Sequence, residues 1–268
     1  SSTKLLYDGT EKILNLNAVG DQITLVTTSK VIRIDNYKST PVLNELFKEK
    51  GITKAFSVQT IEGTNVYLAF NKILKSINIS IDKDAKLIHS FSEPISVIKT
   101  SDKGDYVAIG GSRGKVAVFK QQADQSYNAL TAYRAHKSTV TGIDFTTNND
   151  RIVSSSLDNT INILWLNKSL NENLTLSEKQ IWIRDASFCL NNSCIVSAGD
   201  KGTVQLWPGS VQQAFKQMLS NKKYSDIIDQ VNPDESITEQ YPALKYIWED
   251  SNEYADFKDF WNKMKLKK

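Results

Sequence analysis

Short runs of β-branched and apolar residues alternate along this chain with polar turns. Five runs share one form: Lys30-Val-Ile-Arg-Ile34, Leu74-Lys-Ser-Ile77, Lys115-Val-Ala-Val-Phe119, Thr160-Ile-Asn-Ile-Leu164 and Thr203-Val-Gln-Leu-Trp207. Each follows a polar turn, and runs of this length and residue type predict strands. They end at residues 34, 77, 119, 164 and 207, in steps of 43, 42, 45 and 43. A constant step of this size is the mark of a repeat architecture built from one supersecondary unit per repeat.

Within a repeat the order of strands and turns recurs. One unit reads Val140–Phe145, a polar turn from Thr146 to Asp150, Arg151–Ser154, a turn at Leu157-Asp-Asn159, then Thr160–Leu164. The next reads Ile183–Phe188, a turn through Asn191, Cys194–Ser197, Gly199–Gly202 and Thr203–Trp207. The unit before has Ser96–Ile98, Tyr106–Ile109 and Lys115–Phe119 around turns at 102–104 and 110–114. Short strands separated by Gly, Asp and Asn predict antiparallel hairpins. A unit of roughly 40–45 residues with this grammar is the size of a four-stranded propeller blade. Five units end near Pro208, and Thr3–Tyr7 reads as one further strand, placed to close a ring by pairing with the last unit.

Residues 94–208 resemble the WD40-repeat family. The resemblance rests on Ser156-Leu-Asp-Asn-Thr-Ile161, on the Leu206-Trp207 ending, and on His136 ahead of the strand at Val140. It implies an all-β, WD40-type β-propeller over residues 1–208, with five recognisable blades, complete or part of a larger ring. It also implies a structural hydrogen-bond set: His136, Ser154 or Ser156, and Asp158 in the fourth blade, with Trp207 in the fifth. The fourth blade has Leu164 at the Trp position and Trp165 one residue later, which faces the other side of a strand. The fifth has Lys201 where the Asp belongs and Asp200 one place early.

Two narrower resemblances stand beside this one. Val107–Phe119, Ser155–Thr160 and Ser197-Ala-Gly199 are similar to the last blades of actin-interacting WD40 proteins that assist cofilin, which implies actin and cofilin as partners. Trp182-Ile-Arg184 and Gln205-Leu-Trp-Pro208 look like the terminal blade of WD40 arrays in large bacterial signalling and defence proteins, which implies a signalling complex instead.

From Gly209 the period changes. Val211, Ala214, Phe215, Met218 and Leu219 lie at helical spacing. Further helical stretches carry Tyr241, Leu244, Ile247 and Trp248, and then Tyr254, Phe257, Phe260 and Trp261. Residues 209–268 are therefore expected to form a helical C-terminal extension, packed on the propeller as a cap or free as a partner-binding arm.

Composition narrows the function. The 268 residues are 40% hydrophobic and 24% charged, ordinary for a globular domain. With 33 basic and 30 acidic residues the net charge is +3, which gives no basis for specific nucleic-acid binding. No apolar run approaches the roughly 18 residues that cross a membrane. The two histidines and two cysteines provide no metal-ligand set. Cys189 and Cys194 are expected as two small core residues without a disulfide, in a reducing, cytoplasmic setting. Asp185 and His136 suggest no hydrolase triad, since no Gly-x-Ser-x-Gly elbow is present, and Gly110–Gly114 lacks the ending of a phosphate loop. No catalytic residue, cofactor or metal is expected.

The function expected is a non-catalytic platform for other proteins, with anchors on the loops. Arg113, Lys137, Trp182 and Arg184 are the candidates, because Trp and Arg dominate binding hot spots. Two alternatives stay open. The chain could be an architectural subunit whose ring is completed by a partner or by upstream blades, or a regulatory domain attached to an enzyme encoded upstream.

Overall fold

A computed structural model describes residues 5–166, 173–177, 181–189 and 192–209. The described residues form nineteen strands in five antiparallel sheets. Blade one holds β1 (Ile13–Val19), β2 (Gln22–Thr27), β3 (Lys30–Asp35) and β4 (Val42–Lys48). Blade two holds β5 (Lys54–Thr60), β6 (Gly63–Phe70), β7 (Ile73–Asn78) and β8 (Lys86–Ser90). Blade three holds β9 (Ile95–Thr100), β10 (Tyr106–Gly111), β11 (Lys115–Gln121) and β12 (Tyr127–Arg134). Blade four holds β13 (Val140–Phe145), β14 (Arg151–Ser156), β15 (Thr160–Trp165) and β16 (Asn173–Ser177). Blade five has three strands among the described residues: β17 (Ile183–Phe188), β18 (Cys194–Gly199) and β19 (Thr203–Pro208). Each blade is a meander whose strands pair in chain order.

The repeat is written into the backbone as well as the strands. At one rim the first hairpin turn places a left-handed residue at Gly20, Gly63, Gly104, Asn149 and Asn192. At the opposite rim the second turn does the same at Asn71, Gly114, Asn159 and Gly202. Gly and Asn are the residues that reach positive φ at least cost. Their spacing repeats the step of the strands, so turn chemistry and hydrophobic pattern specify the same unit.

The inner strands β1, β5, β9, β13 and β17 stand side by side, and successive sheets pack face to face. Val26 and Val31 meet Val66, Leu68 and Ile77 between blades one and two. Leu74 and Tyr67 meet Ile98, Ile109 and Phe119 between blades two and three. Val116 and Val118 meet Val140, Ile143 and Leu164 in the next seam, and Ile161 and Ile163 meet Ile183 and Ile195 in the last. Full burial of such a side chain contributes about 1.5–3 kcal/mol, so the seams bind the blades into one body. No comparable packing joins β17 to β1 among the described residues.

Three expectations meet the structure here. Leu5–Tyr7 form no strand on blade five; Leu6 and Tyr7 instead pack on Ile23, Leu25, Ile32 and Ile34, the apolar side of blade one. That side is otherwise left without a preceding sheet, which is why the entering chain covers it. Cys189 and Cys194 are joined in a disulfide and are not two free core thiols. The hairpin turn between them brings their Cα atoms to 5.1 Å, within the span a disulfide bridges. The helical extension expected over 209–268 lies outside the described residues, apart from Gly209.

Candidate functional site

Each blade is entered from one rim, and a single position just before the inner strand organises that rim. It holds Glu11 before β1, Ile52 before β5, Glu93 before β9 and His136 before β13. Glu11 accepts hydrogen bonds from the hydroxyls of Ser29, at 2.5 Å, and Thr27. These two bonds hold its carboxyl below the ordinary range. Glu93, 2% exposed, accepts the N–H groups of Arg113 at 3.1 Å and Lys115 at 2.9 Å. Gly111 makes room for it, since a Cβ there would lie 2.0 Å from the Glu93 carboxylate. Ile52 takes the same place with an apolar side chain, buried at 2% exposure. A recess of about 440 Å³ opens beside it between blades one and two, lined by Glu11, Ser29 and Lys50 among others.

His136 is the most fully bonded member. Its Nε2 lies 2.8 Å from Ser154 Oγ and its Nδ1 lies 2.7 Å from Thr160 Oγ1. Asp158 accepts from the Thr160 hydroxyl at 2.5 Å and from the Lys137 N–H at 2.6 Å, and lies 3.5 Å from His136 Nδ1. Burial opposes the charge of Asp158, but the bonds from His136, Thr160 and the Lys137 N–H outweigh it and hold the carboxyl well below the usual carboxylate range. The sequence left Ser154 and Ser156 as alternatives. Ser154 takes the histidine, while Ser156 accepts the Asp158 N–H at 3.1 Å.

The fourth member of the set is displaced to the next blade. Trp207 Nε1 donates to Ser197 Oγ at 2.7 Å in blade five. Blade four therefore carries the His–Ser–Asp half and blade five the Ser–Trp half. Leu164 packs toward blade three and Trp165 toward blade five, on opposite faces of β15. The arrangement is structural: both ring nitrogens of His136 are engaged, and the ring is 3% exposed. Asp185 has its carboxyl pushed up by burial and bonds its neighbour's N–H at Ala186.

The four candidate anchors all lie on this rim and are exposed. Arg113 crowns the second turn of blade three, its carbonyl bound by the Arg134 guanidinium. Lys137 follows His136. Its main chain is fixed by Asp158, which leaves its ammonium outside the hydrogen-bond set. Trp182 and Arg184 form one cluster. The guanidinium carbon lies 5.6 Å from the Trp182 ring centroid, and Nε is 2.6 Å from Asp200. The Asp200 N–H in turn donates to the Trp182 carbonyl at 3.0 Å. Trp182 stays 54% exposed, so it does not pack between blades.

Arg184 occupies a position with a second meaning. The second residue of β9, Ser96, donates to the Val140 carbonyl of the next blade at 2.6 Å. The second residue of β13, Thr141, donates to the Ile183 carbonyl at 2.8 Å. Arg184 is the second residue of β17, and its long donor side chain turns to Asp200. Sequence reasoning missed these hooks and the carboxylates Glu11 and Glu93. The signal was present, because Glu93 precedes His136 by one repeat step. Among the described residues no group of three or more His, Cys, Asp or Glu is placed to hold a metal ion.

The WD40 family profile (WD domain, G-beta repeat) matches residues 128–163 and 171–208. Protein SOF1 of Saccharomyces cerevisiae is 25% identical over 122 residues, which are 44% of this chain and 24% of that protein. The chain thus spans about a quarter of the length of this curated relative. The crystal structure of the Myceliophteria thermophila Cps50 (Swd1) β-propeller domain superposes with a TM-score of 0.54 at 12% identity. The match covers 70% of this chain and 66% of that one. The fold and the blade network define the class as a β-propeller. Residues 128–163 and 171–208 match the WD40 repeat, and the chain shares the fold of a WD40 β-propeller.

Proposed function

We propose that this chain is a non-catalytic protein-interaction module whose partner docks on the rim that carries Trp182. WD40 propellers generally serve as binding scaffolds, and propeller loops gather at two faces where a partner can reach several at once. The observation that carries the reading is the exposure of Trp182, 54%, beside an Arg184 already oriented by Asp200. An aromatic anchor next to a pre-ordered guanidinium is the composition of a hot spot, and little side-chain entropy is left to lose on binding. Arg113 and Lys137 extend the surface along the same rim. Affinity capture from a cell extract with the wild-type chain and Trp182→Ala tests this: a defined set of proteins is retained by the first and lost by the second. Purified actin and cofilin, added as candidates, test the narrower kinship, and a cytoplasmic setting is part of the same proposal.

A second reading is favoured by one observation. Among the described residues β17 and β1 do not pack on each other, and the matched region corresponds to 66% of a propeller domain. A partner that completes the ring would then protect the amides of β1 and β17 from hydrogen exchange. Unchanged exchange at both strands in the captured complex rejects that reading.

A further inference from the structure

Lys115 opens β11 and Arg134 closes β12, and the register of blade three sets the two directly opposite each other at the Trp182 rim. Like charges placed opposite across a strand pair are destabilising. The neighbouring turns add two more. Arg113 stands two residues before Lys115, and its carbonyl accepts from the Arg134 guanidinium. Lys137 comes from the entry to blade four. The N–H of its neighbour His136 donates at 3.0 Å to the carbonyl of Gly114, between Arg113 and Lys115. Four cations thus share one patch, with Lys115 half-buried and the others exposed.

No carboxylate is paired with any of them. Among the described residues none of the four forms an ion pair. Elsewhere on the rim Lys30 lies 2.9 Å from Glu45, and Arg184 lies 2.6 Å from Asp200. The two carboxylates within the patch are turned inward. Glu93, 2% exposed, takes the backbone N–H groups of Arg113 and Lys115 and not their side-chain charges. The Lys115 ammonium instead reaches the Ser92 hydroxyl at 3.3 Å. Asp158, its side chain 10% exposed, takes the Lys137 N–H and the Thr160 hydroxyl. Each acid fixes the main chain of a cation and leaves the charged end without a paired counter-charge. The opposite rim of blade three has the reverse balance, with Asp102, Asp105 and Asp124 against Lys103 and Lys120. The net charge of +3 therefore conceals a polarised blade.

We propose that this patch receives an acidic segment of the protein partner, whose side-chain carboxylates pair with Arg113, Lys115, Arg134 and Lys137. The proposal rests on the reading of this rim as the docking surface and names the chemistry of what docks there. The two guanidinium groups present planar forks that carboxylates take in bidentate fashion. A carboxylate seated between Lys115 and Arg134 sets two attractions against their mutual repulsion. Single-stranded nucleic acid fits less well, because it needs exposed rings on which bases stack. Phe91 is buried beneath Lys115, and Tyr133 is half-buried with its hydroxyl donating to Asn162.

Fluorescence anisotropy of labelled octaglutamate against the 268-residue chain is the test. Wild type binds the peptide at low ionic strength and releases it as salt is added. Arg134→Glu and Lys137→Glu each weaken binding by about tenfold or more, since a like charge then faces the ligand. Arg134→Glu also sets opposite charges across β11 and β12, and water takes the exposed Arg113 carbonyl. Its thermal midpoint therefore does not fall below that of wild type. Lys38→Glu, the same charge change at an exposed site on the opposite rim, alters affinity by less than about twofold. A wild type that does not bind octaglutamate overturns the proposal, as does equal weakening by Lys38→Glu. Tighter binding of an oligothymidylate of equal charge assigns the patch to nucleic acid and overturns it too. Failure here, with Trp182→Ala still losing its captured proteins, removes the acidic segment and leaves the docking rim. Capture that survives Trp182→Ala, with octaglutamate bound and weakened by both variants, removes Trp182 as the anchor and keeps the patch.

Discussion

Lys99 of blade three reaches across the seam to Asp144 of blade four, with Nζ 3.2 Å from Oδ1. The other oxygen of Asp144 accepts the Phe188 N–H of blade five at 3.0 Å, and Lys99 also lies 5.6 Å from the Phe56 ring centroid of blade two. One carboxylate thus ties three inner strands together. Asp144→Ala leaves a partly buried ammonium and a backbone N–H without their partner. The expected loss is about 1–3 kcal/mol. Chemical denaturation read at two probes, one on each side of the seam, checks the magnitude.

His136 binds two hydroxyls inside the fourth blade. His136→Ala leaves the buried Ser154 hydroxyl without its partner and removes one of the bonds to Asp158, at an expected cost of about 1–3 kcal/mol. Thermal unfolding measures it. Because the Thr160 hydroxyl keeps its own bond to Asp158, the variant folds and keeps its β-sheet circular dichroism.

Asp158 gives the blade a pH dependence of known sign. Its carboxyl is held below the ordinary range in the folded state, so the stability it supplies is fully present above the unfolded value. That contribution is lost as pH falls below about 4 and on through the lowered folded value. The stability difference between wild type and Asp158→Asn is therefore constant near neutrality and shrinks on acidification. A difference that grows toward low pH contradicts the assignment.

Gly114 sits at φ +91°, and a Cβ there would lie 2.0 Å from the His136 carbonyl oxygen. Gly202 holds the corresponding turn in blade five at φ +69° with nothing near. Gly114→Ala is expected to destabilise by more than Gly202→Ala, which pays only the backbone strain of about 1–2 kcal/mol. Comparing the two midpoints in denaturant isolates the steric part.

The Cys189–Cys194 disulfide closes a loop of a few residues, so its removal is expected to cost about 2 kcal/mol and to leave the fold in place. Thiol alkylation in the lysate, before any reductant is added, reports its state in the cell. Full protection shows the bridge formed there, and full modification shows that the compartment keeps it open.

The repeat was legible because strand pattern and turn chemistry carry the same step. Asn71, Gly114, Asn159 and Gly202 mark the turns that the runs ending at Ile77, Phe119, Leu164 and Trp207 follow. His136, Ser154 and Asp158 were legible for the same reason. Glu11 and Glu93 were overlooked because their only signal is position, Glu93 standing one repeat step before His136. Their partners, the Ser29 and Thr27 hydroxyls for Glu11 and the Arg113 and Lys115 N–H groups for Glu93, carry no residue-type signature of a carboxylate site. The Cys189–Cys194 bridge was misread because sequence separation does not say whether a hairpin will bring two Cα atoms within reach. The cluster of Trp182, Arg184 and Asp200 was half visible: its first two members stand in one short run, but the third joins them only through the fold of the blade.

The most direct test of the interaction surface is a calorimetric titration of one captured, purified partner against the wild-type chain and Trp182→Ala. A hot-spot anchor is worth about 2 kcal/mol or more, which is roughly a thirtyfold loss of affinity. The account predicts a loss of at least that size with an unchanged melting midpoint. Equal affinity for the two proteins would contradict it and move the binding surface away from this rim.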